Sequence, residues 1–209
     1  MNFNLPSLTP EKMVQALDSV YTQVLEGLPG QKNIYDLAED YRSKSSSTEN
    51  AISKLIAAQV TKATATGAVT GLGGVLTLPV ALPADLAGCL GIQLRMIGAI
   101  AVLRGYNPSD DQVRTLVYVA LTGQAAADIL KQAGIKFGTK MSTVLIKKIP
   151  FEVIKQINKA VGFRLVTKFG QTGVINLGKG IPFVGGIIGG TVDAVGTSTI
   201  GKTAKRVFN

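Results

Sequence analysis

Apolar side chains recur three and four residues apart along most of this chain, the spacing of one face of an α-helix. Met13, Leu17, Val20 and Val24 form the first stripe. Ahead of it stand Thr9, a good N-cap, Pro10 at the first helical position, and Glu11 at the helix's positive end. Gly27 and Pro29 stop it. Ile34, Leu37, Ala38 and Tyr41 predict a second, short helix that runs out in the polar stretch Ser43 to Ser47. Ser46-Ser47-Thr48-Glu49 has the capping-box pattern that opens a third helix, with Ile52, Leu55, Ile56, Val60 and Ala63 as its stripe.

Residues 63–84 carry no charge, a length that raises the question of a membrane span. Gly67, Gly71, Gly73, Gly74, Pro79 and Pro83 interrupt it. A span facing lipid must hydrogen-bond its own backbone, which these residues obstruct, so a buried, kinked helical hairpin or an interfacial loop is predicted. Pro83-Ala84-Asp85 then opens a long helix to about Arg104. Gly88, Gly91, Gly98 and Ala99 give it a side that another helix can approach closely, and Leu86, Leu90, Leu94, Ile97 and Ala101 give it a broad apolar side. Gly105 ends it; Asn107 is the predicted cap and Pro108 the start of the next helix, striped by Val113, Leu116, Val117, Ala120 and Leu121.

Beyond a short helix around Ala125 to Ala133, Phe137, Met141, Val144 and Leu145 predict a stripe, with lysines mostly off it, up to Pro150. Ile154, Ile157 and Val161 continue the pattern. The C-terminal segment contains two overlapping small-xxx-small pairs, Gly185/Gly189 and Gly186/Gly190, which call for a close helix contact or a membrane-facing turn. No window alternates with period two, so strands are not predicted. The fold class read from this pattern is all-α: a single compact multi-helix domain with a glycine-rich apolar hairpin. Leu55, Ile56, Leu86, Leu90, Leu94, Leu116 and Val117 are its predicted core.

Charge changes the picture more than composition does. Residues 1–129 hold 9 Lys/Arg against 11 Asp/Glu, a net −2, whereas residues 130–209 hold 13 against 2, a net +11. A basic C-terminal third points to an anionic surface: lipid headgroups, an acidic protein or nucleic acid. Lys136, Lys140, Lys147, Lys148, Lys155, Lys159, Lys202, Lys205 and Arg206 are the candidate contacts. The first six are expected to face outward together. Nucleic acid ranks behind the other two, because only Arg164 and Arg206 are arginines after residue 129 and no tyrosine is available there for stacking.

With no histidine and one cysteine, the chain has no Ser-His-Asp triad, no Cys-His pair and no zinc finger. Cys89 lies in an apolar run and reads as a small buried hydrophobe. Gly196 to Thr203, GTSTIGKT, fits the expression for a P-loop, but only six residues follow it and no strand pattern precedes it. Asp85 and Arg95 are a possible structural ion pair, as are Asp193 and a C-terminal lysine. A catalytic reading of Asp85, Gln93 and Arg95 is the sharper alternative. No metal or cofactor is expected. Met1 to Pro6 lacks a cationic start and an apolar run, so cytoplasmic residence is expected, with the inner face of the cell membrane as the site of action.

Three stretches together resemble the bacterial EcsC family: Gly67 to Asp85, reading GAVTGLGGVLTLPVALPAD; Gln93 to Pro108, especially IAVLRGYNP; and Ile181-Pro182-Phe183-Val184-Gly185-Gly186, with Asp193 and Ala204 to Phe208. The resemblance covers most of residues 50–209 and implies a compact α-helical domain, with no activity to carry over. It divides the chain into an N-terminal helical extension, 1–45, and an EcsC-like domain, 46–209. Ile181 to Gly190 is also similar to the membrane-associated domain that accompanies some bacterial GTPases. The leading functional expectation is peripheral membrane association through basic amphipathic and glycine-rich apolar segments. The alternatives are a soluble helical module that binds an acidic protein or nucleic acid, and an enzyme using Asp85 and Arg95.

Overall fold

A computed structural model describes residues 8–27, 31–64, 82, 84–138, 143–178 and 185–209. Among them nine α-helices and one 3-10 turn occur, and no strand. The helices are α1 (Pro10–Glu26), α2 (Ile34–Ser43), α3 (Thr48–Thr64), α4 (Ala84–Leu103), α5 (Asp111–Leu121), α6 (Ala126–Gln132), α7 (Thr143–Lys147), α8 (Phe151–Gly178) and α9 (Gly185–Val207). The 3-10 turn, Gly123–Ala125, joins α5 to α6.

Local chemistry explains the ends. The Thr9 hydroxyl accepts from the Lys12 amide at 3.3 Å, and Pro10 occupies the first turn of α1. Gly27 closes that helix with φ +98°, a conformation that disfavours side chains. Asn33 caps α2 by accepting from the Asp36 amide at 2.8 Å.

The helix α4 is the hub. It packs against α1, α2, α3, α5 and α9, and Leu90, Leu94, Met96, Ile97 and Ile100 are wholly buried. Such burial contributes about 1.5–3 kcal/mol per large apolar side chain. Leu86–Leu103 has a mean hydropathy of 1.9 and is long enough to cross a membrane, yet 83% of it lies inside the protein. Its apolar character is therefore satisfied by neighbouring helices. Helices α1 and α2 contribute Met13, Leu17, Val20 and Ile34 to the same buried cluster.

Of the predicted core, Leu55, Leu90, Leu94, Leu116 and Val117 are wholly buried, while Ile56 and Leu86 are half-buried against it. Tyr21 and Tyr118 meet edge-on at 5.7 Å and tie α1 to α5. Tyr21 donates to the Pro108 carbonyl at 2.9 Å and Tyr118 to Asp18 Oδ1 at 2.7 Å. Burial raises the pKa of both phenols.

Close helix approach is built on single glycines. A Cβ at Gly98 would meet Ile34 Cδ1 at 2.7 Å, one at Gly201 would meet Ile56 at 2.9 Å, and one at Gly162 would collide with the Pro10 carbonyl. Gly185, Gly186, Gly189 and Gly190 lie on the first turns of α9, but their packing falls outside the described residues. So does the glycine-rich stretch 65–81.

Two predicted elements differ. Helix α5 starts at Asp111, not Pro108. Gly105 at φ +84° ends α4, and residues 107–110 form a turn in which Asn107 Oδ1 accepts from the Ser109 amide at 3.1 Å. Asn107 thus caps that turn rather than the helix. Of the predicted stripe over residues 137–145, Phe137 lies in a turn beside Gly138 at positive φ, Val144 and Leu145 lie on the short α7, and Met141 falls outside the described residues.

Candidate functional site

Helices α7 and α8 are joined by a tight turn at residues 148–150, where the Lys148 and Ile149 amides donate back to Leu145 and Ile146 at 3.2 and 3.0 Å. Pro150 cannot extend α7, and its carbonyl accepts from the Ile154 amide at 3.1 Å as α8 begins. Ile146 is wholly buried and packs this segment on the body of the protein. Val144 and Leu145 point the other way, at 60% and 57% exposure. This corrects the predicted stripe: the inward residue of α7 is Ile146, since one helical turn can bury only one of three consecutive apolar residues.

Along α8 the predicted stripe holds. Ile154, Ile157, Val161 and Leu165 are buried, and Gly162 lets α8 rest on the start of α1. The outer face carries Phe151, Lys155, Lys159 and Phe163, four residues apart. Both phenylalanines are mostly exposed, at 58% and 64%. Twelve residues of helix separate them by about 18 Å. Lys155 Nζ stands 4.6 Å from the centre of the Phe151 ring, a cation–π contact. Apolar tips and lysine heads therefore share the outer face of α8, and Val144, Leu145 and Lys148 are exposed just before it.

Two of the predicted basic residues, Lys147 and Lys205, are tied to carboxylates. Lys148, Lys155 and Lys159 are exposed and hold no ion pair among the described residues. The Glu11 carboxyl is held below its usual pKa by a backbone hydrogen bond, by Thr9 and, through space, by the charge of Lys159. Lys147 is tied to Asp110 Oδ2 at 3.4 Å and fastens α7 to the start of α5. Lys205 pairs with Glu49 Oε2 at 2.9 Å, and Arg104 takes the other oxygen of the same carboxylate. Lys205 thus finds Glu49, on α3, as its acidic partner. Arg206 lies over Phe137 at 5.4 Å, beside the exposed Lys136 and apart from the α8 face in sequence. Lys202 is exposed on α9, and Lys140 lies outside the described residues.

The enzyme candidates are dispersed. Gln93 Nε2 donates to Cys89 Sγ at 3.2 Å and to Thr197 Oγ1 at 3.3 Å, on the side facing α9. Arg95, two residues on and so on the opposite side of the helix, donates to Gln31 Oε1 at 2.9 Å and to the Lys32 carbonyl. Burial lowers the Arg95 pKa. Asp85 lies ten residues before Arg95 on α4, and its side chain falls outside the described residues. The GTSTIGKT fragment is the middle of α9, so its amides bond within the helix and form no phosphate-cradling loop. Cys89 is half-buried, and no cluster of three metal-ligating side chains occurs among the described residues.

Sequence reasoning missed the outward turn of Val144, Leu145 and Phe163. The signal was present in part: Val144-Leu145-Ile146 are three consecutive apolar residues beside Lys147-Lys148. A stripe reading assigns such residues to a core by default.

The EcsC protein family pattern matches residues 1–209, which takes in the first 45 residues that the resemblance did not cover. A protein of Bacillus subtilis (strain 168), named uncharacterized protein YdbA, is 37% identical over 73 residues. That stretch is 35% of this chain and 25% of the relative, so the chain spans about a quarter of the relative it matches. No solved structure matches.

Proposed function

This chain belongs to the EcsC protein family, and on that premise we propose that it is a peripheral membrane-binding protein that docks through the α7–α8 edge. In this reading it resides in the cytoplasm and works at the inner face of the cell membrane. The observation that supports it most is the set Val144, Leu145, Phe151 and Phe163, each more than half exposed, alternating with Lys148, Lys155 and Lys159. Large apolar side chains that sit at a lipid–water boundary bury their surface there, while flanking lysines meet anionic headgroups. Each lysine near such a surface contributes about 1 kcal/mol. Three of them correspond to roughly a hundredfold in affinity. A nucleic acid would use the lysines and the two phenylalanines but would leave the aliphatic Val144 and Leu145 without a role.

Co-sedimentation with phosphatidylglycerol-containing vesicles tests the reading. Wild type is expected to pellet with these vesicles, weakly with phosphatidylcholine alone, and less at high salt. Lys148→Glu/Lys155→Glu/Lys159→Glu is expected to lose binding with its circular dichroism unchanged. Absence of vesicle binding, together with salt-sensitive binding to RNA or to an acidic polypeptide, would overturn it.

A further inference from the structure

Among the described residues Arg95 is the only charged residue that is buried, at 8% exposure, and it forms no ion pair there. Its partners are neutral: Nη1 donates to Gln31 Oε1 at 2.9 Å and Nη2 to the Lys32 carbonyl. That commits two of the five N–H groups of a guanidinium, and the buried Nε has no hydrogen-bond partner. A buried cation without a counter-charge and a buried donor without an acceptor are both costly. Gln31 and the Lys32 carbonyl solvate the guanidinium but leave its charge uncompensated.

A second cation stands near it. Lys62, on α3, has its pKa lowered by burial and by the charge of Arg95, and it holds no ion pair among the described residues. The Tyr41 phenol, half-buried on α2, lies in the field of Arg95, Lys32 and Lys44, and its hydroxyl makes no hydrogen bond among those residues. Asp40, beside Tyr41, does not serve as the missing counter-charge, because Lys32 and Lys44 already share it at 2.6 and 2.8 Å. The linker after Lys62 supplies none either, since residues 63–84 carry no charge. Three helices thus place an uncompensated guanidinium, an ammonium and a phenol hydroxyl together, although residues 1–129 hold more acids than bases.

The charges and donors specify the ligand. Guanidinium, ammonium and phenol all donate, so they call for acceptor oxygens. A carboxylate neutralises one of the two cations, whereas a phosphate dianion neutralises both. We propose that Arg95, Lys62 and Tyr41 form a phosphate-binding site, in which phosphate oxygens take the unused N–H groups of Arg95 and the place of Gln31 Oε1. The phosphate belongs either to a free phosphorylated compound or to a lipid headgroup. None of these residues lies on α7 or α8, so the site does not rest on the membrane reading.

Isothermal titration of the full chain with inorganic phosphate tests the site, with acetate as the monoanionic comparator. Phosphate is expected to bind saturably and to raise the melting temperature, and acetate to do neither. Lys62→Gln, at an exposed position, is expected to weaken binding about tenfold, as for loss of one charged hydrogen bond. Tyr41→Phe keeps the ring, loses the hydroxyl and is expected to weaken binding less. Gln31→Glu gives the guanidinium a carboxylate of its own; it is expected to raise the melting temperature and to abolish phosphate binding. Vesicles of phosphatidic acid and of phosphatidylglycerol, matched in surface charge, separate the sources. A preference for phosphatidic acid that Lys62→Gln and Gln31→Glu both remove assigns the headgroup; saturable binding of soluble phosphate without that preference assigns a free compound. The proposal is overturned if neither phosphate nor phosphatidic acid binds saturably, if acetate matches phosphate, or if binding survives both Lys62→Gln and Gln31→Glu.

Discussion

Helix α4 and the α7–α8 segment use the same residue types and end in opposite places. Both are rich in aliphatic side chains, but α4 buries Leu90, Leu94 and Ile97 among five neighbouring helices, whereas Val144, Leu145, Phe151 and Phe163 stay on the surface. Arg95 shows the same contrast for charge. It is almost wholly inside and is held by Gln31 and Lys32, while Lys155 stands in solvent over the exposed Phe151 ring. An apolar stripe thus states that a partner exists and leaves open whether that partner is the protein's own core or something outside it.

The sharpest way to break this comparison is to truncate both sides. Leu90→Ala is expected to destabilise by ~2–5 kcal/mol, since it removes buried volume from the hub. Phe151→Ala is expected to shift stability by no more than about 0.5 kcal/mol, as for an exposed position. Urea titrations of the two variants measure the difference; a cost at Phe151 matching that at Leu90 would place the ring in the core. Gly162→Ala comes next. Its Cβ would strike the Pro10 carbonyl, a backbone atom that cannot rotate away, and overpacking of this kind costs about 1–3 kcal/mol. Gly196→Ala is the matched control, because its Cβ meets open space. It is expected to hold or raise the melting temperature.

Acid separates the regions more gently. Lys32 and Lys44 hydrogen-bond to Asp40 Oδ1 at 2.6 and 2.8 Å and hold its pKa down to about 2. A carboxyl depressed by folding stabilises above its ordinary range, and that share fades as pH falls from there through about 2. Asp40→Asn is expected to remove this part of the acid sensitivity, read as a flatter melting temperature below pH 4. Asp40 makes no contact with the α7–α8 segment, so vesicle binding there is expected to persist while the Asp40 contacts loosen.

Much of the helical architecture was legible in the residues. Thr9-Pro10 and Gly27 bound α1, Gly105 ends α4, and the stripe Ile154, Ile157, Val161 is buried as patterned. What escaped was set by distant chain. Asn107 serves a turn and also accepts from Tyr35, 72 residues away, at 3.0 Å. Glu49 draws in Arg104 and Lys205, so Lys205 is fastened to α3 rather than placed on a free basic face. In α7, one turn of helix cannot resolve by period which of three consecutive apolar residues turns inward.

The absence of tryptophan permits a direct test of the central claim. Phe151→Trp places a single reporter at the start of α8, and Thr22→Trp, at an exposed site on α1, serves as control. With phosphatidylglycerol vesicles, Trp fluorescence from the Phe151 site is expected to shift to the blue and to be quenched by brominated acyl chains, while the α1 reporter does neither. Vesicle-bound protein whose Phe151-site reporter keeps its solvent spectrum and escapes quenching would contradict docking through the α7–α8 edge.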